Sequence, residues 1–267
     1  MADIRGREVH TKFGYIKVID TMGDDAAVVQ MARVSYGAGT KTKRSDRGLI
    51  RYLMRHWHTS PFEACEIKLL VSTTMDTWRQ QVRHRTASIN EYSTRYSEAV
   101  DGWQCYGPTE WRLQSTENKQ GSGGKLGYDD GVQASELYNT ASNKAREVYN
   151  DLLGMGVARE QARSVLPLST FTEAYWKIDL HNLLHFLRLR MDSHAQLEIR
   201  TMANAIGDLV AEWVPDVWEA FLDYRLESVQ FSRMEVEALQ QMLRGHDPNY
   251  DGMSEREVKE FQEKING

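Results

Sequence analysis

The spacing of apolar and polar positions divides the chain into single strands separated by groups of helices. Gly14 to Asp20, GYIKVID, alternates apolar with polar and is rich in β-branched residues, the period of a half-buried strand. After a turn at Met22-Gly23-Asp24, Asp25 to Tyr36 takes helical spacing, with Asp24 or Asp25 as cap. GAGTKTKR reads as a basic loop. Arg47 to His56 predicts a second helix capped by Asp46, with Leu49, Ile50, Leu53 and Met54 on one face. Pro61 disfavours helix at Ser60. Cys65 to Ser72 reads as a strand with a buried side. Asp76 to His84 reads as one short helix, with Arg79 and Arg83 on one face and Gln80 and His84 on the next.

Farther along, Glu98 to Gly131 is polar and carries GSGGKLG, so it reads as an insertion or mobile loop, or one holding a short helix near Thr109–Leu113. Val132 to Leu153 predicts a long helix with Leu137, Ala141, Ala145, Val148 and Leu152 in register. Short helical spacing at Ala158–Ser164 precedes a third strand, Phe171 to Leu180. Helices are expected at His181–Met191, Ala195–Trp213, Pro215–Tyr224, Arg233–Leu243 and Ser254–Ile265. Residues 1–13 read as a loose arm. The order implies an α+β fold with helices packed on a small sheet. It divides into one domain over 1–226 and an acidic helical extension over 227–267.

Composition narrows the function. With 267 residues, 41% of them hydrophobic, a sizeable core is within reach. The net charge of −5 argues against general nucleic-acid or anionic-membrane binding. That average hides an asymmetry: Lys41 to Arg95 holds 11 Lys/Arg against 5 Asp/Glu, a local +6, leaving −11 on the remainder. A small anionic ligand or a solvated basic face would each account for it. Two cysteines, Cys65 and Cys105, make neither a disulfide framework nor a zinc cluster. No apolar run approaches membrane-spanning length and the N-terminus lacks a secretory core, so a reduced, cytoplasmic protein is expected.

The candidate chemistry centres on RHRTASINEYS, Arg83 through Ser93, with Arg95 beyond it. His56-x-His58 and the helical pair His181 and His185 lack the neighbouring carboxylates of a metal motif, and no metal site is expected. No GxSxG elbow surrounds Ser88 or Ser93, and neither GxGxxG nor a P-loop occurs. What remains is anion capture. Arg79, Arg83, Arg85, Arg95, Arg163, Arg188 and Arg190 offer planar forks suited to phosphate. Gln80, Asn90, Glu91 and Ser93 suit base edges and sugar hydroxyls. The set points to a nucleotide or dinucleotide-like ligand.

The same stretch resembles the RHR-seven-residues-Ser signature of flavin-dependent thymidylate synthases. HTSPFE, WRQQVRHR, EYSTRYS, ARSVLPL and HFLRLRMDSHAQ resemble further blocks of that family, in order, between Tyr15 and Tyr224. The resemblance implies a homotetramer of α/β subunits around a central antiparallel sheet, with active sites at subunit interfaces. It implies FAD as cofactor, NADPH and methylenetetrahydrofolate as co-substrates, and conversion of dUMP to dTMP without a cysteine nucleophile.

Position by position, the resemblance assigns Ser60, Arg83, His84, Arg85, Glu91, Asp179, His181 and His185 to the flavin. It assigns Gln80, Arg83, Glu91, Tyr92, Ser93, Thr94, Arg95, Arg163 and Arg190 to dUMP. Arg190 resembles the arginine that favours ionisation of uracil at N3, and His58 a histidine near the flavin. Asp179, His181 and His185 depart from the Asn, Arg and Asn of many relatives. Two other readings compete: a nucleic-acid binder using the arginines, which the net acidity opposes, and an inactive relative. The intact set Arg83, Arg85, Ser93, Arg95 and Arg190 opposes the latter.

Overall fold

The structure is a computed structural model that describes residues 3–34, 45–94, 102–116 and 121–266. Its centre is a five-stranded sheet. The strands are β1 (Glu8–Thr11), β2 (Gly14–Met22), β3 (Glu66–Thr74), β4 (Ala87–Glu91) and β7 (Phe171–Asp179). They stand in the order β1-β2-β3-β7-β4, with every neighbouring pair antiparallel. The fold is therefore mixed α and β, a central antiparallel sheet flanked by helices.

The alternation that predicted β3 and β7 puts Ile67, Leu69 and Val71 beside Ala174, Trp176 and Ile178, all fully buried. Helices α3 (Met75–Gln81), α6 (Leu180–Arg190) and α7 (Leu197–Trp213) pack against the sheet. Leu183, Leu184, Phe186 and Leu187 line the inner side of α6, and the Phe186 ring meets Trp176 edge-on at 5.0 Å. Each such side chain contributes roughly 1.5–3 kcal/mol by leaving water.

Before the sheet's second half come α1 (Asp25–Arg33) and α2 (Asp46–Arg55). Asp24 caps α1 by accepting from Ala27 N at 3.0 Å. Asp25 instead turns inward and accepts from the backbone of Asp216 and Val217, at 3.1 and 3.0 Å. It so caps α8 (Pro215–Phe221), 190 residues along the chain.

Several expectations are corrected. The supposed loose arm holds β1 and buries Ile4 and Phe13, because Gly6 and Arg7 exchange backbone hydrogen bonds with Val18 at 2.8 Å. The cap of α2 is Ser45, which accepts from Gly48 N. Asp46 is drawn into an ion pair with Arg33 instead. Helix α3 stops at Gln81, so Arg83 and His84 lie beyond it and share no helical face with Arg79 and Gln80. The stretch RHRTASINEYS, for which no strand was expected, contains β4, which forms because β7 offers it a free edge. Of the polar region, 102–116 and 121–131 are described. They hold a hairpin, β5 (Arg112–Gln114) with β6 (Ser122–Lys125), where a short helix was one expectation.

The long helix α4 runs from Tyr128 to Gly154, starting four residues before the expected Val132. It does not bury the predicted stripe: Leu137 is 66% exposed, while Gly131, Ser142 and Tyr149 are buried. Tyr149 packs with Ala162, between α4 and α5 (Arg159–Ala162). The hairpin region is tied down by charge: Glu198 on the first turn of α7 is 2% exposed and receives Arg112 at 2.5 Å and the Tyr106 hydroxyl at 3.1 Å.

The chain divides into two compact units, Met1–Phe221 and Leu222–Gly267. The second contains α9 (Arg233–Leu243) and α10 (Glu255–Asn266). Ser232 and Glu235 form a reciprocal capping box on α9. Glu235 also receives Lys264 at 2.6 Å, and Ala238 and Phe261 are fully buried.

Gly14 joins β1 to β2 with φ of +130°, and a Cβ there would stand 1.9 Å from the Ser72 carbonyl oxygen. Gly14→Ala therefore forces apart β2 and β3. Urea unfolding should show a loss of about 2–4 kcal/mol, and a loss below about 0.5 kcal/mol would show that the turn relaxes freely.

Candidate functional site

Arg190 is the last residue of α6, and it reaches across to the connection between α3 and β4. Its Nε donates to Nε2 of His84 at 3.1 Å, and a terminal nitrogen donates to the Gln80 carbonyl at 3.4 Å. His84 is 9% exposed and lies edge-on to Phe186 at 4.9 Å. A ring nitrogen that accepts from a guanidinium must be unprotonated, so His84 is neutral with its proton on Nδ1. Burial first, then the charge of Arg190 and the neighbouring His185, push its pKa down to about 4. The His185 ring lies 6.1 Å away, on the exposed side of α6. Burial and then the charge of Arg83 lower the pKa of Arg190 itself.

A second group forms where β4 runs out. Glu91 accepts from the Thr172 hydroxyl at 2.8 Å, and Tyr92 N donates to the Glu173 carbonyl at 2.7 Å. Tyr92 is exposed, Ser93 half-buried, and Thr94 buried. The Thr94 hydroxyl accepts from Arg163 at 3.2 Å, in the turn that follows α5. Arg95 lies outside the described residues. Arg83 and Arg85 are exposed, and neither forms an ion pair among the described residues.

The remaining expected residues gather at the opposite end of α6. Asp179 caps that helix: its two carboxylate oxygens accept from Asn182 N and Asn182 Nδ2, at 3.0 and 2.6 Å. His181 is half-buried in the first turn. Ser60 opens a tight turn, Ser60–Ala64, beside the start of α6, where Leu180 N donates to the Cys65 carbonyl at 2.8 Å. His58 is exposed, its ring stacked on Tyr52 at 5.8 Å. An 11-residue helix separates the two ends by roughly 15 Å. Within one chain, then, His84, Arg190, Gln80 and Arg83 come together, as do Thr94 and Arg163, while Glu91 is held by Thr172 and Ser60, Asp179 and His181 stand apart.

Gln196, unread at the sequence level although it closes the block HFLRLRMDSHAQ, accepts from the Gln80 side chain at 2.7 Å. Neither thiol lies in this region's chemistry. Cys65 is buried and pushed up to about 12, chiefly by burial, and Cys105 is exposed against the Trp103 carbonyl. Among the described residues no group of three or more metal-ligating side chains occurs, and no helix is long and apolar enough to cross a membrane.

The sheet, helix α6 and the arginines gathered near its C-terminal end define an α/β protein whose exposed cations, Arg83 and Arg85, carry no ion pair among the described residues. The model of the thymidylate synthase complementing protein family matches residues 17–216, and that of the ThyX C-terminal domain matches 229–266. A flavin-dependent thymidylate synthase of Ruegeria pomeroyi is 48% identical over 258 residues, covering 94% of this chain and 85% of that protein. One from Anaplasma marginale is 49% identical over 252 residues, covering 93% and 86%. A crystal structure of the UMP/dUMP methylase PolB from Streptomyces cacaoi, bound with 5-Br dUMP, superposes with a TM-score of 0.72. It is 34% identical, covering 84% of this chain and 99% of that one. The chain belongs to the thymidylate synthase complementing protein family, and is a methyltransferase of the flavin-dependent kind.

The His84 pKa gives stability a defined pH dependence. Its folded value of about 4 lies below the ordinary 6.5, so between these values the unfolded chain binds the proton more readily. The associated stability is complete above pH 6.5 and is lost as pH falls toward 4. His84→Gln keeps an acceptor for Arg190 but cannot titrate. Urea unfolding at pH 7 and 4.5 should show wild type losing about 2 kcal/mol more than the variant. Equal losses would place His84 in water.

Proposed function

We propose that the protein converts dUMP to dTMP, taking a one-carbon unit from methylenetetrahydrofolate and reducing equivalents from NADPH by way of FAD. The observation that carries this is Arg190. Its guanidinium is drawn in from water, held by a neutral histidine and a backbone carbonyl, and set within reach of a second cation, Arg83. Like charges brought together in a partly dry place are costly without an anion between or beside them. A pyrimidine that loses its N3 proton beside Arg190 would be that anion. The fixed positive charge would stabilise it as an oxyanion hole stabilises a developing oxyanion.

The residues present suit the two ligands. Arg83, Arg163 and Arg95 would receive the dUMP phosphate. Gln80, Glu91, Tyr92, Ser93 and Thr94 would meet its sugar and base, Ser93 as a hydrogen-bonding group and not a nucleophile. The exposed cations Arg83 and Arg85, with His84, Glu91, Ser60, His181 and His185, offer the charge and hydrogen bonds that FAD requires. Asp179 has its carboxylate engaged as a helix cap and would serve the flavin mainly by setting the start of α6. FAD, when bound, supplies the hydride transfer. The protein's own residues bind and orient dUMP and spread the charge of its activated base. Cys65, buried and with its thiol held protonated, is unsuited to attack carbon 6 of the pyrimidine.

The separation of the flavin residues along α6 supports active sites completed by a second subunit within a homotetramer. So do the exposed Tyr175, Ile89 and Leu137. Among the described residues no helix is long and apolar enough to cross a membrane, and the ligands proposed are all small molecules.

Arg190→Ala should retain its fold and FAD content while losing about 100-fold or more of NADPH-dependent dTMP formation, measured by product release. Near-normal turnover would remove Arg190 from the chemistry, and absence of flavin uptake by wild type would remove the proposal. The double variant Cys65→Ser, Cys105→Ser should retain activity within about threefold of wild type. Lost turnover with FAD and dUMP still bound would require a thiol step.

A further inference from the structure

Gln80 is held at two points. Its backbone carbonyl accepts from Arg190 at 3.4 Å, and its side-chain Nε2 donates to Oε1 of Gln196 at 2.7 Å. Gln196 stands in the connection between α6 and α7, immediately before Leu197, and its own carbonyl accepts from Arg200 N at 3.0 Å as the first bond of α7. No residue assigned above to substrate or cofactor lies in that connection.

A glutamine amide is two-faced: turned one way it offers a ligand N–H donors, turned the other way a carbonyl acceptor. The two orientations have nearly the same shape, so the surroundings choose between them. Here the guanidinium of Arg190 reaches the backbone carbonyl of Gln80, and the charge of Arg83 acts on Arg190, so the side of Gln80 toward α6 carries positive charge. Positive charge on the site side favours the carbonyl oxygen there and turns the NH2 group away. The turned-away NH2 then needs an acceptor, and Gln196 Oε1 provides it.

We infer that Gln196 is a positioning residue, which locks the Gln80 amide so that its carbonyl oxygen faces the nucleotide and accepts from a donor group on it. This rests on the placing of dUMP against Gln80 proposed above. The connection between α6 and α7 thereby acts on substrate recognition without touching substrate. The helix that ends at Arg190 and the connection that follows it both hold Gln80.

The test is a double-mutant cycle on FAD-loaded enzyme, reading dUMP affinity by calorimetry. The four proteins are wild type, Gln80→Leu, Gln196→Leu and the double variant, with Gln196→Glu as the conservative replacement that can only accept. Each single Leu variant should weaken dUMP about tenfold, and the double variant should be no weaker than Gln80→Leu. KM for dUMP should rise by more than kcat falls, and FAD content and Tm should hold across the set. Gln196→Glu should restore affinity to within about threefold of wild type, despite adding a negative charge near an anion. Effects that multiply in the double variant would overturn the inference. So would a Gln196→Leu protein that binds dUMP normally while Gln80→Leu does not, or a Gln196→Glu protein as weak as Gln196→Leu. A Gln80→Leu protein with wild-type dUMP affinity would instead remove Gln80 from the dUMP site, and the inference with it.

Discussion

The hydrogen bond from Arg190 to His84 constrains the rest of the site. A guanidinium donates only, so the imidazole must accept, and it can accept only when neutral. Neutrality at ordinary pH is secured by burial against Phe186 and by the cationic neighbour itself. The arrangement holds a fixed cation at the end of α6 without neutralising it. A carboxylate in the place of His84 would have cancelled the charge that the proposed chemistry uses. The histidine aims the arginine and leaves its charge available.

Helix α6 works as the spine of this arrangement. Its inner face is locked into the sheet by Leu183, Leu184, Phe186 and Leu187, so its two ends are held at a set separation. One end is capped by Asp179 beside the Ser60 turn, and the other presents Arg190 to the α3–β4 connection. Sheet order contributes as well. Because β4 joins the far side of β7, the stretch from Arg83 to Thr94 is drawn back across the sheet edge, and Thr94 reaches Arg163. Glu91 is fixed against Thr172 by the same pairing.

Much of the fold was legible as period. Strands β2, β3 and β7 alternate strongly, and α6 and α7 carry continuous apolar faces, since each is buried against neighbours of its own unit. The failures share one cause. β1 and β4 are short and polar, and they exist because a long neighbouring strand supplies hydrogen-bonding partners that no local pattern announces. The spacing on α4 put Leu137 in register with Ala141, Ala145, Val148 and Leu152, yet among the described residues Leu137 stays 66% exposed. Asp25 looked like a local cap and serves a distant helix, because whether a carboxylate turns inward depends on what is packed there.

The site divides in the same way. Sequence by itself determined the inventory: a cluster of arginines around RHRTASINEYS, the amide, carboxylate and hydroxyl groups among them, and cysteines with no reactive context. Residue types and their order are local information, and they were enough to place the chain near a family. Only the tertiary structure decided which of these groups meet. It joined Arg190 to His84 across 106 residues, Arg163 to Thr94 across 69, and Gln80 to Gln196 across 116. It also decided protonation, because the neutrality of His84 follows from burial and a neighbouring cation, and neither is written within one stretch of chain.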